Sequence, residues 1–388
     1  MRLPAISLLA VLATTPALAA PCGGDFGTFL KAIAAEATAQ GLPDSAISAF
    51  LAGAQRDPAV IKADRSQGVF RKTFLDFSQS LISKGRIQNA AVYSRKYDAA
   101  FNTAMQKYGV SRGVILAFWA FETDFGQVQG DFNTRNALLT LAQDCRRPEL
   151  FPPQVLAAIA LTARGGLDPA TPKGAWAGEI GMVQMLPRDI LERGVDGDGD
   201  GRVTLKTSAG DAILSASRML QFYGWQAGQP WLQEVVVPDG LDWSQTGLDT
   251  QLPARQWAAM GVRARQGNLA DLPASILLPQ GRMGPAFIIY PNYRVLFEWN
   301  KSFVYVTTAA YFATRIEGAA AYDPGKPDPA LSGNDMVALQ KKLAARGHDV
   351  GRIDGILGAA TRAAVQAEQV RLGQPADGWP TAKLLDGL

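Results

Sequence analysis

One segment limits the folds open to this chain more than any other: Ser111 to Gly126, SRGVILAFWAFETDFG, apolar on every helical face. A surface helix shows an apolar stripe, whereas a helix hydrophobic all round must be enclosed by other elements. Ser111 can act as its N-cap and Gly126 as its stop, so the spacing predicts a central helix over this span. Helices to enclose it are available. From Phe26 to Gly113 apolar residues recur at helical spacing, interrupted at Gly41-Leu42-Pro43, Asp57-Pro58 and Gly109, and Gln154–Arg164 and Asp211–Trp225 read the same way. Ala286 to Ala310 changes to aromatic and β-branched residues, the pattern of one short strand pair before a final helix.

The 388 residues suffice for more than one domain, and a net charge of +3 is too balanced to argue for nucleic acid as a partner. Residues 1–19 carry one Arg, an apolar run and Ala17-Leu18-Ala19, the form of a secretory signal peptide cut after Ala19. Acylation at Cys22 would need a small residue where Pro21 stands, so the mature protein is expected to be periplasmic and without a transmembrane segment. In an oxidising compartment the two cysteines, Cys22 and Cys145, have only each other, which predicts one disulfide. Residues 20–320 form the expected body. The run AYDPGKPDPA over 321–330, with three prolines, reads as a linker to a small helical domain at 331–388. In that domain Asp377-Gly378 partly echoes Asp354-Gly355.

The chain has one histidine, His348, far from any ligand-type cluster. Zinc sites and Ser/His/Asp or Cys/His catalysis need imidazole, so chemistry in the body falls to carboxylates, amides, hydroxyls or lysine. Glu122 is the candidate. It stands near the end of the apolar helix between Phe121 and Phe125, where desolvation and the negative end of the helix dipole both raise a carboxyl pKa. A carboxyl still protonated near neutral pH is what general-acid cleavage of a glycosidic bond requires; the alternative is a solvated glutamate at a helix end. Asp124 faces roughly the opposite side of a helix and is a poor partner. Glycosidases normally use two carboxyls, and Asp131 and Glu179 are the candidates for a second, with Glu179 expected to be a solvated loop residue. A single carboxyl suffices when an N-acetyl group of the substrate supplies the nucleophile.

Asp196-Gly197-Asp198-Gly199-Asp200-Gly201-Arg202 places acids at loop positions 1, 3 and 5, glycine at 6 and the Arg202 carbonyl at 7, the front half of a calcium loop. Position 12 is Thr207 rather than glutamate. The next acid is Asp211.

The motifs from Glu122-Thr123-Asp124-Phe125-Gly126 through Cys145-Arg146-Arg147, Gly178-Glu179-Ile180-Gly181 with Gln184, and Trp299-Asn300-Lys301-Ser302 stand in an order that resembles the lytic murein transglycosylases of the membrane-bound B type. The tail, through Asp354-Gly355-Ile356-Leu357-Gly358 and Thr361, resembles a peptidoglycan-binding module. The resemblance implies a mainly α fold: a lysozyme-like α+β catalytic body with a small three-helix C-terminal domain. It implies Glu122 as single acid then base, Gln184 and Asn300 lining the sugar cleft, Arg146 and Arg147 approaching the glycan or its peptide, and Asp211 closing a structural calcium site with Asp196, Asp198, Asp200 and Arg202. Peptidoglycan glycan strands are the implied substrate, with cell-wall synthesis or division proteins as candidate partners. The family usually has serine where Ala175 stands. The competing readings are a muramidase that admits water and a non-catalytic wall-binding protein.

Overall fold

The computed structural model describes residues 22–66, 72–170 and 173–388. The signal segment expected at 1–19 lies outside them. Six short helices come first: α1 (Phe26–Ala39), α2 (Asp44–Leu51), α3 (Pro58–Arg65), α4 (Phe74–Leu81), α5 (Lys84–Lys96) and α6 (Asp98–Tyr108). Their starts follow the sequence chemistry. Asp25, Asp57, Thr73 and Ser83 each accept a hydrogen bond from a first-turn amide, satisfying donors that have no partner inside the helix. Gly109, at φ 67°, ends α6 in the left-handed region that glycine adopts without strain.

The central helix α7 (Arg112–Thr123) buries nine of its twelve residues. α8 (Thr134–Gln143), α9 (Phe151–Ala163), α10 (Pro187–Arg193) and α11 (Ala209–Phe222) follow, and α13 (Pro291–Trp299) and α14 (Phe303–Ile316) complete the helical body. α14 runs along α7. Gly113 permits the crossing: a Cβ there would come within 2.8 Å of the Ala313 carbonyl and of the Glu317 side chain.

Between α11 and α13 lies a five-stranded antiparallel sheet of β1 (Leu232–Val236), β2 (Leu252–Pro253), β3 (Arg263–Ala264), β4 (Pro273–Leu277) and β5 (Phe287–Ile289), in the order β2-β4-β5-β1-β3, with α12 (Ala254–Ala259) after β2. Leu277, Phe287 and Ile289 face the main core, while Ala274, Ile276 and Ile288 face a second core around Trp257. That is the two-residue alternation of a sheet covered on both sides.

Two expectations require correction. Ala286–Ala310 holds a single strand, β5, whose partners β1 and β4 come from earlier in the chain, and the β-branched stretch from Val304 to Thr308 is helical within α14. Packing against α7 overrides its local strand preference. The central helix also stops before Gly126. Asp124 and Phe125, at φ 51° and 61°, take the left-handed turn instead, and their amides donate to Ala120 O and Trp119 O.

Residues 321–330 form an extended segment fastened to the body: the Asp323 amide donates to Glu234 Oε1 at 2.8 Å and the Lys326 amide to Met283 O at 2.7 Å. Beyond it, α15 (Gly333–Ala345), α16 (Ala359–Arg371) and α17 (Ala382–Gly387) enclose a small core of Leu339, Leu343, Val365 and Leu384. The echoed turns share one device. Gln340 Oε1 accepts from the Asp354 and Gly355 amides, and Gln369 Oε1 accepts from the Gly378 amide. Cys22 and Cys145 form a disulfide.

Candidate active site

Glu122 lies in the last turn of α7, half-buried, against residues that reach it from α13 and α14. Its Oε1 accepts hydrogen bonds from Trp299 Nε1 at 3.0 Å and from the Tyr305 hydroxyl at 2.6 Å. Phe118 stacks on Trp299 with ring centres 4.7 Å apart, and Phe121 meets Tyr305 edge-on at 6.0 Å. Removal from water pushes the Glu122 pKa up from 4.5 to about 7; the Tyr305 and Trp299 hydrogen bonds pull it down, and the nearby charge of Glu179 pushes it further up. Burial and Glu122 itself hold the Tyr305 phenol well above its ordinary range, so it remains a donor.

The turn after Glu122 is pinned from both sides. Arg86 Nε pairs with Asp124 Oδ1 at 3.1 Å. Thr123 Oγ1 donates to Met182 O at 2.6 Å and accepts from the Gly126 amide at 2.8 Å. Among the described residues the non-glycine residues with positive φ are Asp124, Phe125 and Gln184. Two stand two and three residues after Glu122, and the third belongs to the turn that Thr123 grips. Backbone strain of this kind persists where surrounding structure imposes it and concentrates at functional sites.

Gln184 turns its amide inward, donating from Nε2 to Gly181 O at 2.7 Å. Asn300 follows α13 and its Oδ1 accepts from the Ser302 amide at 2.8 Å, capping the step into α14. Asn300, Arg146 and Arg147 line one cleft of about 1070 Å³, and Arg352 and Arg362 of the C-terminal domain line it too. Gln184 and Glu122 are not on that lining. Both arginines are paired to Asp64, a buried acid on α3, and the Arg147 guanidinium lies 4.4 Å from the Phe151 ring centre.

Glu179 is not a solvated loop residue. Its Oε2 is buried with no hydrogen-bond partner, and burial raises its pKa against the pull of its own loop amides and of Arg147. The turn from Ala175 to Glu179 is closed by backbone hydrogen bonds, the Ala175 amide donating to Glu179 O at 3.2 Å and the Gly178 amide to Ala175 O at 3.1 Å. Asp131 is exposed. Trp299, Tyr305 and Asp64 are the functional neighbours that sequence reasoning missed as such. The Trp299-Asn300-Lys301-Ser302 motif marked the first; nothing local to Tyr305 or Asp64 marks the others.

In the acidic loop, carboxylate oxygens of Asp196, Asp198 and Asp211 lie within 4.8 Å of one another. Asp211 is fully buried at the start of α11 and accepts from the Gly197 and Thr204 amides at 2.8 and 2.6 Å, so it is aimed at the loop before any ion binds. Three converging carboxylates on a preformed loop fit a hard, oxygen-preferring cation. Asp200 is not in that group of three; its Oδ1 accepts from the Arg202 amide at 2.8 Å.

With this geometry in place, residues 25–314 match the family model described as the transglycosylase SLT domain. The chain belongs to this family. Residues 332–388 match a peptidoglycan-binding domain model. The membrane-bound lytic murein transglycosylase B of Escherichia coli K12 is 29% identical over 232 residues, 59% of this chain and 63% of that relative, so the match spans less than two thirds of its length. SltB3 of Pseudomonas aeruginosa, solved in complex with NAG-anhNAM-pentapeptide, is 35% identical with a TM-score of 0.86, covering 94% of this chain and 99% of the other. The lytic transglycosylase Slt35 of Escherichia coli, solved in complex with calcium, is 26% identical with a TM-score of 0.66, covering 77% of this chain and 96% of the other. The lysozyme-like fold with an added sheet and the helical C-terminal domain agree with these relatives. No helix among the described residues is long and apolar enough to cross a membrane.

Proposed function

We propose that this chain cleaves the β-1,4 bond between N-acetylmuramic acid and N-acetylglucosamine in peptidoglycan without consuming water. The observation that carries this reading is the state of Glu122: one carboxyl, raised to about 7, whose Oε1 is occupied by two neutral donors while part of the side chain remains open to solvent. Protonated Glu122 gives its proton to the bridging oxygen as the C1–O bond breaks, and the substrate's own acetamido oxygen takes the developing positive charge at C1. The resulting carboxylate then accepts the C6 hydroxyl proton as O6 closes on C1, leaving a 1,6-anhydro end and a regenerated acid. Poising the group near neutral pH serves both transfers, because an acid that is too weak donates poorly and a base that is too weak accepts poorly. Gln184 and Asn300, being amides, can orient sugar hydroxyls without adding charge.

The proposal extends to the rest of the molecule. Asp196, Asp198 and Asp211, with Asp200 and the Arg202 carbonyl as the loop's other candidates, would hold a structural calcium ion that stabilises the loop leading into α11. Residues 1–19 would direct export to the periplasm, 20–320 would form the catalytic unit, 321–330 the linker and 331–388 the wall-binding module. Mass spectrometry of fragments released from purified peptidoglycan tests the reaction. Anhydro fragments one water lighter than muramidase products are expected. Reducing-end products would overturn the lyase reading and put Glu179 in the role of second carboxyl.

A further inference from the structure

Arg362 ties the C-terminal module to the body through Pro279 and Phe303. It projects from α16, and its Nη2 donates to Pro279 O at 2.6 Å. Its guanidinium carbon lies 4.4 Å from the ring centre of Phe303 and 5.7 Å from that of Trp379. Burial lowers its pKa to about 10, which leaves it charged at neutral pH. A desolvated cation over an aromatic face is held more firmly than an exposed one, because water no longer competes for it. Phe303 is itself buried and opens α14. Four residues before it stands Trp299 and two after it Tyr305, the two donors to Glu122. The module therefore grips the middle of the turn whose two ends hold the carboxyl.

We propose that Arg362 is a positioning residue for the reaction: seated on Phe303, it fixes the Trp299–Tyr305 turn and, through that turn, the Glu122 carboxyl. The inference rests on Glu122 as the acid. It makes the module part of the catalytic apparatus as well as a wall anchor. Docking does not depend on Arg362 alone, since Gln366 Nε2 donates to Trp243 O and Thr246 O at 3.0 and 2.9 Å and the Arg282 amide donates to Asp377 Oδ2 at 3.0 Å.

The test uses the full mature chain and a soluble tetrasaccharide of alternating N-acetylglucosamine and N-acetylmuramic acid, too short to need anchoring by a wall-binding module. Arg362→Met is expected to lower kcat about tenfold with KM within about twofold of the parent, the split expected when a reacting group is misplaced and ground-state binding is not. Phe303→Leu, which keeps apolar bulk but loses the ring face, should match it, and Arg362→Met with Phe303→Leu together should be no worse than either alone. Arg362→Lys should restore part of the loss. Parental kcat in Arg362→Met, or losses in the double variant that multiply, would overturn the proposal. If Arg362→Met does not fold, Phe303→Leu decides by the same kcat criterion. Glu122→Gln is measured alongside: turnover in that variant removes the reading of Glu122 itself, whereas an inactive Glu122→Gln with an unimpaired Arg362→Met removes only the positioning role.

Discussion

The Tyr305 hydroxyl donates to Glu122 Oε1 at 2.6 Å across 183 residues of chain. One residue belongs to the helix enclosed at the centre of the body and the other to the helix packed along it, so the state of the carboxyl is set by how α7 and α14 meet.

Replacing Glu122 by Gln is expected to abolish turnover, with activity down at least about a thousandfold, because the amide left in its place can neither give nor take the proton. The fold should survive and gain stability at alkaline pH. A carboxyl raised from 4.5 to about 7 binds more protons folded than unfolded between those values. Its contribution is therefore complete below pH 4.5 and lost as pH rises through 7, at a cost on the order of 2 kcal/mol for this half-buried group. Glutamine does not titrate. Denaturant unfolding at pH 4 and pH 8 should show the variant gaining on the parent only at the higher value.

Activity should fall as pH rises past about 7, and two substitutions should move that limb in opposite directions. Tyr305→Phe removes a hydrogen bond that lowers the Glu122 pKa, so the limb moves up by about one unit. Glu179→Gln removes a like charge that raises it, so the limb moves down by less. Profiles of kcat/KM against pH on soluble glycan check both. A shift of the same sign in the two variants would contradict this account of the carboxyl.

Calcium should raise Tm relative to chelator-treated protein, and Asp198→Asn should erase the difference. Free calcium at a hundred times Kd corresponds to about 2.7 kcal/mol. Asp198 is the better probe than Asp211, whose side chain also satisfies two loop amides and whose loss would destabilise the protein with or without the ion. Equal Tm values with calcium and with chelator would exclude the site.

Reducing the Cys22–Cys145 disulfide should destabilise the body by about 3 to 5 kcal/mol, because the bond closes a loop spanning 123 residues and restricts the unfolded chain. Cys22→Ala with Cys145→Ala, unfolded in denaturant beside the oxidised parent, measures the difference. A change below about 1 kcal/mol would show that the N-terminal segment is held by its other contacts, among them the Gly23 amide on Gln143 O at 2.8 Å.

The sequence by itself determined that a helix apolar on every face must lie at the centre, that a lone glutamate at its end sits among aromatic rings, and that three regularly spaced aspartates form a loop. These are local properties, legible because they depend on spacing and residue type. The tertiary structure alone decided the rest. Glu179, expected in solvent, has a buried carboxylate oxygen, and its charge reaches Glu122. The residues from Val304 to Thr308 read as strand and fold as helix because α7 offers them a packing face. Arg146 and Arg147 are tied to Asp64 on α3, an acid their own neighbourhood in sequence does not announce. A carboxyl's pKa is the sum of desolvation, hydrogen bonds and nearby charges. For Glu122 the hydrogen bonds arrive from residues 177 and 183 positions away, and no pattern within one helix can specify where those donors will stand.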